Sequence, residues 1–493
     1  MLARLSKNSF VRLYDDGEIG YITNQLTRHD RTYDSIGADF LSVLSRNPKS
    51  IEEMLCSLKN IYEVDENLLR SDLVDFISDL SDNKFVVEGN TEEELNEKDL
   101  DFSYAMENPK TLATDFTQPT KERIRQDTET FLLEHDENKP RLASLEFEIT
   151  SRCNERCIHC YIPNGKKDAG FDMSFEKFKY ILDQFASMGG IHVTLSGGEA
   201  LLNRDIIKML RYCREKDLMI SLLTNLTYMR DDLVPILKEV NVSLVQVSLY
   251  SMDPAIHDTI TTVKGSFVRT KAAIEKLHDA DVPVQISCPL MKANKEGYGK
   301  VLKYAKSLRM SAQTDYIMMG ESNFDTSNLA NRLSLEETGK VIEDILEYDQ
   351  DYQQEMEEIE PVSTIDMEEY KEMPLCGAGI NDLCVTVNGD IYPCSGWQAY
   401  VVGNVFRNSL RDIWEKSSML EAVRKVKRKD FPKCLSCAAK DYCNMCLVRN
   451  FNESHGDMFK INNHFCKVAF LNKRLVEEWV KKKNIKFSST DDR

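Results

Sequence analysis

Leu145-Glu-Phe-Glu-Ile-Thr-Ser-Arg-Cys153-Asn-Glu-Arg-Cys157-Ile-His-Cys160-Tyr161 sets three cysteines within eight residues, directly after a run that alternates apolar and polar side chains. Alternation at period two predicts a β-strand over Ser144–Thr150, so the cysteines open the loop at its C-terminal end. Thiolates are soft ligands that suit iron–sulfur clusters. Three of them leave the fourth iron of a 4Fe–4S cluster free for another ligand. The competing explanations are chance clustering and a structural zinc site with His159 as fourth ligand. Zinc sites commonly use two paired knuckles, which a lone triplet does not supply.

Downstream, strand and helix patterns alternate. Strands are expected at Ile191–Leu195, Met219–Leu223, Leu244–Leu249 and Val284–Ser287, with amphipathic helices such as Phe175–Ser187 and Leu233–Val240 between them. Such alternation means βαβ units and a parallel sheet. Active sites of these folds lie at the C-terminal ends of the strands, where the cysteine triplet falls. At the end of the next strand stands Ser196-Gly197-Gly198-Glu199. The glycines allow a backbone to approach a small ligand closely, and the carboxylate can accept from an ammonium group. Thr224-Asn225 ends the third strand, and Ser248 and Tyr250 end the fourth. Strand-end turn chemistry explains Thr224, Asn225 and Ser248 about as well as ligand contact does.

C-x3-C-x2-C after a first strand, followed by Gly-Gly-Glu, Thr-Asn and Ser248, resembles the radical S-adenosylmethionine (SAM) enzymes. The resemblance implies a partial (β/α)6 barrel over 141–345, with Cys153, Cys157 and Cys160 holding a 4Fe–4S cluster. It implies SAM contacts at His159, Tyr161, Gly197, Gly198, Glu199, Thr224, Asn225 and Ser248. Two departures stand out: Tyr250 where the family usually has Asp, and Thr261-Thr262 where it often has Arg-Gly. Threonine cannot replace the bidentate grip of arginine on a carboxylate. Either Lys264 substitutes or the SAM carboxylate is held differently.

Of 14 cysteines, a second group runs from Cys376 through Cys384, Cys394, Cys434, Cys437, Cys443 and Cys446 to Cys466. Asn388-Gly389 predicts a hairpin between Cys384 and Cys394. Two C-x2-C pairs also admit zinc knuckles. The series as a whole resembles the SPASM domain, expected over 376–470. That resemblance implies auxiliary cluster I on Cys376, Cys394 and Cys446, and auxiliary cluster II on Cys434, Cys437, Cys443 and Cys466. Cys384 lies in the strand pattern Leu383–Val387 and has two roles open to it, packing there, which is put first, or ligating cluster I. Cys56, Cys213 and Cys288 sit singly in apolar patterns and are expected to pack.

Residues 1–88 combine a hairpin, Phe10–Tyr14 and Ile19–Ile22, with three helical patterns, the last capped by Asp65. This winged-helix-like unit resembles the RiPP recognition element of enzymes that modify ribosomally made peptides. It implies a leader peptide bound as an added strand between Glu18–Thr23 and the helix at Glu66–Phe85. Winged helices also bind DNA, but Asp72, Asp75 and Asp79 repel phosphate, and a net charge of −18 from 63 basic and 81 acidic residues argues against nucleic acid. An acidic linker with some helix is expected over 89–140, a connector over 346–375 and a basic helical tail over 471–493, with Phe470, Leu471, Leu475 and Trp479 on one face. No apolar run is long enough to span a membrane and no signal peptide is evident, so the expectation is a cytoplasmic protein. The combined resemblance is to sactipeptide and ranthipeptide maturases. It implies three 4Fe–4S clusters, SAM, a precursor peptide, a reductant such as flavodoxin or ferredoxin, and a thioether crosslink from a cysteine sulfur to carbon. The alternatives are a carbon–carbon peptide cyclase and a non-catalytic iron–sulfur peptide-binding or electron-transfer protein.

Overall fold

A computed structural model describes residues 1–106, 140–359, 362 and 365–488, with side chains to 483. Most of the expected linker lies outside the described residues; of its described part, Glu92–Lys98 is helical. The first 89 residues carry six strands: β1 (Leu2–Leu5), β2 (Ser9–Tyr14), β3 (Ile19–Asn24), β4 (His29–Tyr33), β5 (Lys49–Ser50) and β6 (Val86–Gly89). They also carry three helices: α1 (Ser35–Ser42), α2 (Ile51–Leu58) and α3 (Glu66–Asp82). The hairpin and all three helices form where the patterns put them. Asp65 caps α3 by accepting from the Asn67 and Leu68 amides. One expectation changes. β3 is the centre of a β2-β3-β4 sheet, so among the described residues β4, not β3, is the edge strand on the α3 side. The edge lies beside α3, tied to it by an Arg31–Asp79 ion pair of 2.6 Å and by Tyr33 edge-on to Phe76.

The central sheet contains β7 (Ser144–Thr150), β8 (His192–Gly197), β9 (Met219–Thr224), β10 (Leu244–Ser248), β11 (Val284–Ser287) and β12 (Ser311–Gln313). All six are parallel, in the order β12-β11-β10-β9-β8-β7. Leu145, Phe147, Ile149, Val193, Leu195, Val245 and Val247 point to the helices and are fully buried. The intervening residues face the barrel interior. The sheet does not stop at β7. β13 (Asp382–Val385) pairs parallel to it, and β14 (Asp390–Tyr392) and β15 (Gly403–Asn404) continue antiparallel. The expected Asn388-Gly389 hairpin, with Gly389 at φ 81°, thus extends the barrel sheet beyond β7, and β15 forms its outer edge.

The N-terminal unit docks on the barrel rather than standing apart. Phe10, Tyr14 and Tyr21 share a buried cluster with Ala143 and Ile191, and Arg12 donates to the carbonyls of Gly190 (2.9 Å) and Asp217 (2.6 Å). Ala143, Gly190 and Asp217 all precede strands, so the unit covers the N-terminal ends of the barrel strands. The helix Asn463–Ser488 packs Leu475 and Val476 on Ile342 and Leu346; Phe470, expected on that face, is 50% exposed. Cys213 and Cys288 are buried as expected, whereas Cys56 is exposed. No helix among the described residues is long and apolar enough to cross a membrane.

Candidate functional site

At the C-terminal ends of β7 and β8 the backbone is folded tightly on itself. The Gly198 amide donates to the Thr150 carbonyl (2.9 Å) and the Glu199 amide to the Arg152 carbonyl (2.8 Å). A Cβ on Gly197 would lie 2.3 Å from the Thr150 oxygen, and one on Gly198 2.3 Å from the Arg152 oxygen. The glycines therefore serve first to clamp the start of the cysteine loop. Arg152 is held in turn by Asp172 (2.6 Å). The far side of the loop is fixed by Asn331, donating to the Ile158 carbonyl (3.0 Å), and by the Ser322 amide, donating to Tyr161 (2.9 Å).

Cys153, Cys157 and Cys160 are all partly buried. Burial pushes the Cys153 thiol up to about 11 and the Cys157 thiol well above its ordinary range. The Tyr250 hydroxyl lies 3.7 Å from the Cys157 sulfur, so the tyrosine found at the family's aspartate position touches the cysteine loop. Buried Glu155 sits 3.5 Å from the same sulfur, and burial raises its carboxyl to about 7. A cavity of about 280 Å³ is lined by Cys157 and Cys160. Among the described residues no three His, Cys, Asp or Glu side chains are grouped to hold one ion. Zinc gathers its ligands within about 2.3 Å of a single centre, whereas cluster thiolates bind separate irons. The buried thiols, raised while protonated and convertible to thiolates by iron, fit a cluster.

The expected SAM contacts fall into two groups. Glu199, 1% exposed, accepts from the Thr224 hydroxyl (2.6 Å) and from the Asn225 (2.7 Å) and Leu201 (2.9 Å) amides. Thr224 and Asn225 are thereby joined to the Gly-Gly-Glu turn, and Asn225 reaches the loop through Asn154 (3.0 Å). Ser248 lies by the Tyr250 phenol, and the His159 ring meets Tyr250 edge-on at 4.9 Å. Burial lowers His159 to about 4, so the ring is neutral, with Nδ1 buried and unpaired. Tyr161 lies apart, among Glu146, Glu148 and Cys384 in the barrel interior.

Sequence reasoning missed that interior. Glu146 bonds to Ser196 (2.5 Å), and Gln398 donates to Glu148 and accepts from Lys166 (2.8 Å) and Ser322 (3.1 Å). Burial, with Glu146 adding repulsion, raises Glu148 to about 7. The alternation of Leu145-Glu-Phe-Glu-Ile held the signal: its polar face points inward.

In the C-terminal region Cys376, Cys434, Cys437, Cys443, Cys446 and Cys466 line one cavity of about 420 Å³. Cys434, Cys437, Cys443 and Cys466 influence one another electrostatically, as Cys446 does Cys376 and Cys394. The cavity does not divide the two expected sets: Cys376 and Cys446 line it together with Cys434, Cys437, Cys443 and Cys466, and Cys394 is not among its lining. Burial raises Cys376 and Cys443 to about 11. Cys384 is 1% exposed, opposite Glu146 on β7 and Tyr392 on β14. It faces the polar interior with Glu148 and Cys394 nearby, not the apolar side with Leu383 and Val385.

Residues 147–305 match the radical SAM superfamily and residues 376–438 the SPASM iron–sulfur cluster-binding domain. An AdoMet-dependent heme synthase of Methanosarcina barkeri is 27% identical over 333 residues, 64% of this chain and 93% of that protein. The subtilosin biosynthesis protein AlbA of Bacillus subtilis is 25% identical over 313 residues, 62% of this chain and 68% of AlbA. The crystal structure of Streptococcus suis SuiB bound to precursor peptide SuiA superposes with a TM-score of 0.62 at 19% identity, covering 93% of this chain and 99% of SuiB. The two matches follow one another along the chain, so it carries a radical SAM domain on the parallel strands and the first cysteine group, followed by a SPASM domain whose match takes in Cys376, Cys384, Cys394, Cys434 and Cys437.

Proposed function

We propose that the protein is a maturase that crosslinks a ribosomally made precursor peptide, joining a cysteine sulfur to a carbon of another residue. The observation that carries this reading is the docked N-terminal unit, whose β4, an edge strand among the described residues, lies beside α3 and offers an extended peptide a strand to pair with. The heme synthase relative aligns with 64% of the chain, while the fold shared with SuiB extends over 93%. AlbA, named for bacteriocin biosynthesis, and SuiB, seen with a precursor peptide, both point to peptide substrates.

Cys153, Cys157 and Cys160 would hold the radical cluster. Cys376, Cys394 and Cys446 would hold one auxiliary cluster, and Cys434, Cys437, Cys443 and Cys466 the other. With SAM bound at the first set, those residues would hold a group that supplies radical hydrogen abstraction from carbon. The glycine clamp fixes the loop, and Tyr250 and His159 shield it from water. The interior lined by Glu146, Glu148, Ser196 and Gln398 receives the reacting residue between the two cysteine regions. Electrons would enter from a reductant such as flavodoxin or ferredoxin.

PqqA peptide cyclases at 23–24% identity favour a second chemistry, a carbon–carbon crosslink on the same cofactors. Co-expression with a candidate precursor, read by mass spectrometry, tests both. A loss of ~2 Da per crosslink is expected for either bond. Fragmentation placing the link on a cysteine supports the thioether; a link that survives cysteine replacement supports carbon–carbon bonding. An unmodified peptide in the presence of active SAM cleavage would refute the maturase.

A further inference from the structure

The cavity of about 420 Å³ that gathers the C-terminal cysteines carries charge of one sign. Its charged lining residues are Arg428, Lys440 and Arg449, and among the described residues that line it none is acidic. The whole chain, by contrast, has a net charge of −18. Arg449 is neutralised by Asp315 (2.5 Å). Arg428 and Lys440 have no carboxylate partner among the described residues.

Arg428 is the more firmly placed of the two. It opens the short turn Arg428–Asp430, and its amide donates to the Met373 carbonyl (3.1 Å). Nη1 donates to the Tyr370 hydroxyl (2.9 Å), and the guanidinium lies over that ring at 4.7 Å. Nε is buried and has no acceptor among the described residues. Carboxylates close to it in the chain are engaged elsewhere. Glu372 pairs with Lys429 (2.7 Å), and Asp430 accepts from the Lys427 amide (2.8 Å). A partly buried guanidinium with one neutral partner and an idle N–H is costly unless an anion completes it.

The anion that suits this cavity is built on its own sulfurs. Burial opposes the Cys376 thiolate, and the Arg428 charge favours it. A 4Fe–4S cluster on cysteine thiolates carries net negative charge, and reduction adds one more. A cation beside it therefore favours the reduced form over the oxidised one.

We propose that Arg428 is the counter-charge of the auxiliary cluster on Cys376, Cys394 and Cys446, and that it raises that cluster's reduction potential. This rests on the auxiliary clusters proposed above. Arg428 is a positioning residue, acting through the cluster and touching neither peptide nor SAM. The competing anion for it is a carboxylate of the precursor peptide.

Potentiometric titration of reconstituted full-length protein, followed by electron paramagnetic resonance, separates the two. Signals that SAM leaves unperturbed belong to the auxiliary clusters. Wild type is compared with Arg428→Met, Arg428→Lys and Lys433→Met, the last an exposed cation beside Cys434. In Arg428→Met one auxiliary midpoint should fall. At the wild-type midpoint its ratio of reduced to oxidised cluster should drop about tenfold, the worth of one charge-assisted hydrogen bond. Arg428→Lys should recover most of that loss, and Lys433→Met should leave both midpoints in place.

Auxiliary midpoints that stay put in Arg428→Met overturn the proposal, including when precursor binding weakens, since that marks the peptide as the anion. An equal fall in Lys433→Met overturns it too, as does an Arg428→Lys midpoint as low as that of Arg428→Met. If Arg428→Met fails to load auxiliary iron, Arg428→Gln takes its place, and wild-type midpoints there overturn the proposal. Wild type that holds no auxiliary iron would sink the cluster reading itself, a distinct result.

Discussion

At the scale of single residues, the same inward-facing carboxylate makes function and stability pull against each other. Glu148 is raised to about 7, chiefly by burial. A carboxyl raised in the folded state favours folding fully below its unfolded value and loses that contribution as pH rises through about 7. Glu148→Gln should therefore stabilise the protein at pH 8 by about 1–3 kcal/mol and hardly at pH 4.5, a difference that paired thermal melts would reveal. Gly198 offers the opposite case. With the Arg152 carbonyl 2.3 Å from any Cβ, backbone must move. Gly198→Ala should cost about 2 kcal/mol or more and lower iron in the radical cluster while sparing the auxiliary iron. Iron analysis after anaerobic reconstitution checks this; retained cluster and melting temperature would refute it. The Gly-Gly-Glu run was conspicuous in the sequence, but its first task was not. A clash between two loops distant along the chain has no local signature.

At the scale of elements, the strongly apolar strands β7 to β11 were legible almost to the residue, because each buries a face against helices. β12, Ser-Ala-Gln, carries no such pattern and is specified by pairing with β11. β4, His-Asp-Arg-Thr-Tyr, is half-solvated and reads as a loop. That edge makes a sharp test of peptide capture. Neighbouring N–H groups on β4 alternate between β3 and the open side, so of Arg31→Pro and Thr32→Pro one breaks a ladder bond and the other removes an outward donor. The variant that keeps its melting temperature should bind leader peptide about tenfold more weakly, measured by fluorescence polarisation. Equal binding by both would exclude strand addition at β4. β13 sharpens the question of Cys384, whose side chain shares a face with two carboxylates rather than with the apolar core. Cys384→Ala should lower stability by about 1 kcal/mol or less and leave auxiliary iron intact. Loss of iron would make Cys384 a ligand.

At the scale of the whole molecule, three regions that look separable in sequence are built into one another. The SPASM hairpin completes the barrel sheet on the β7 side, and the N-terminal unit seals the strand starts. Pairing between β7 and β13 joins residues more than two hundred positions apart, which no local pattern reports. Residues 140–345 expressed alone should expose the β7 edge and aggregate, as size-exclusion chromatography would show; a soluble monomer would contradict the interdependence. Deleting residues 1–88 would likewise uncover Ala143 and Ile191, so point variants on β4 serve better than truncation. The docking also sets a length scale. The unit that would grip the leader covers one end of the strands and the cysteine loop caps the other. β7 alone spans 7 residues, roughly 20 Å at the usual strand rise. A tethered peptide could present to the radical only positions that lie at least that contour beyond the gripped segment. The scaffold would then act as a ruler, choosing which residue is altered by its distance along the chain before any side chain is recognised.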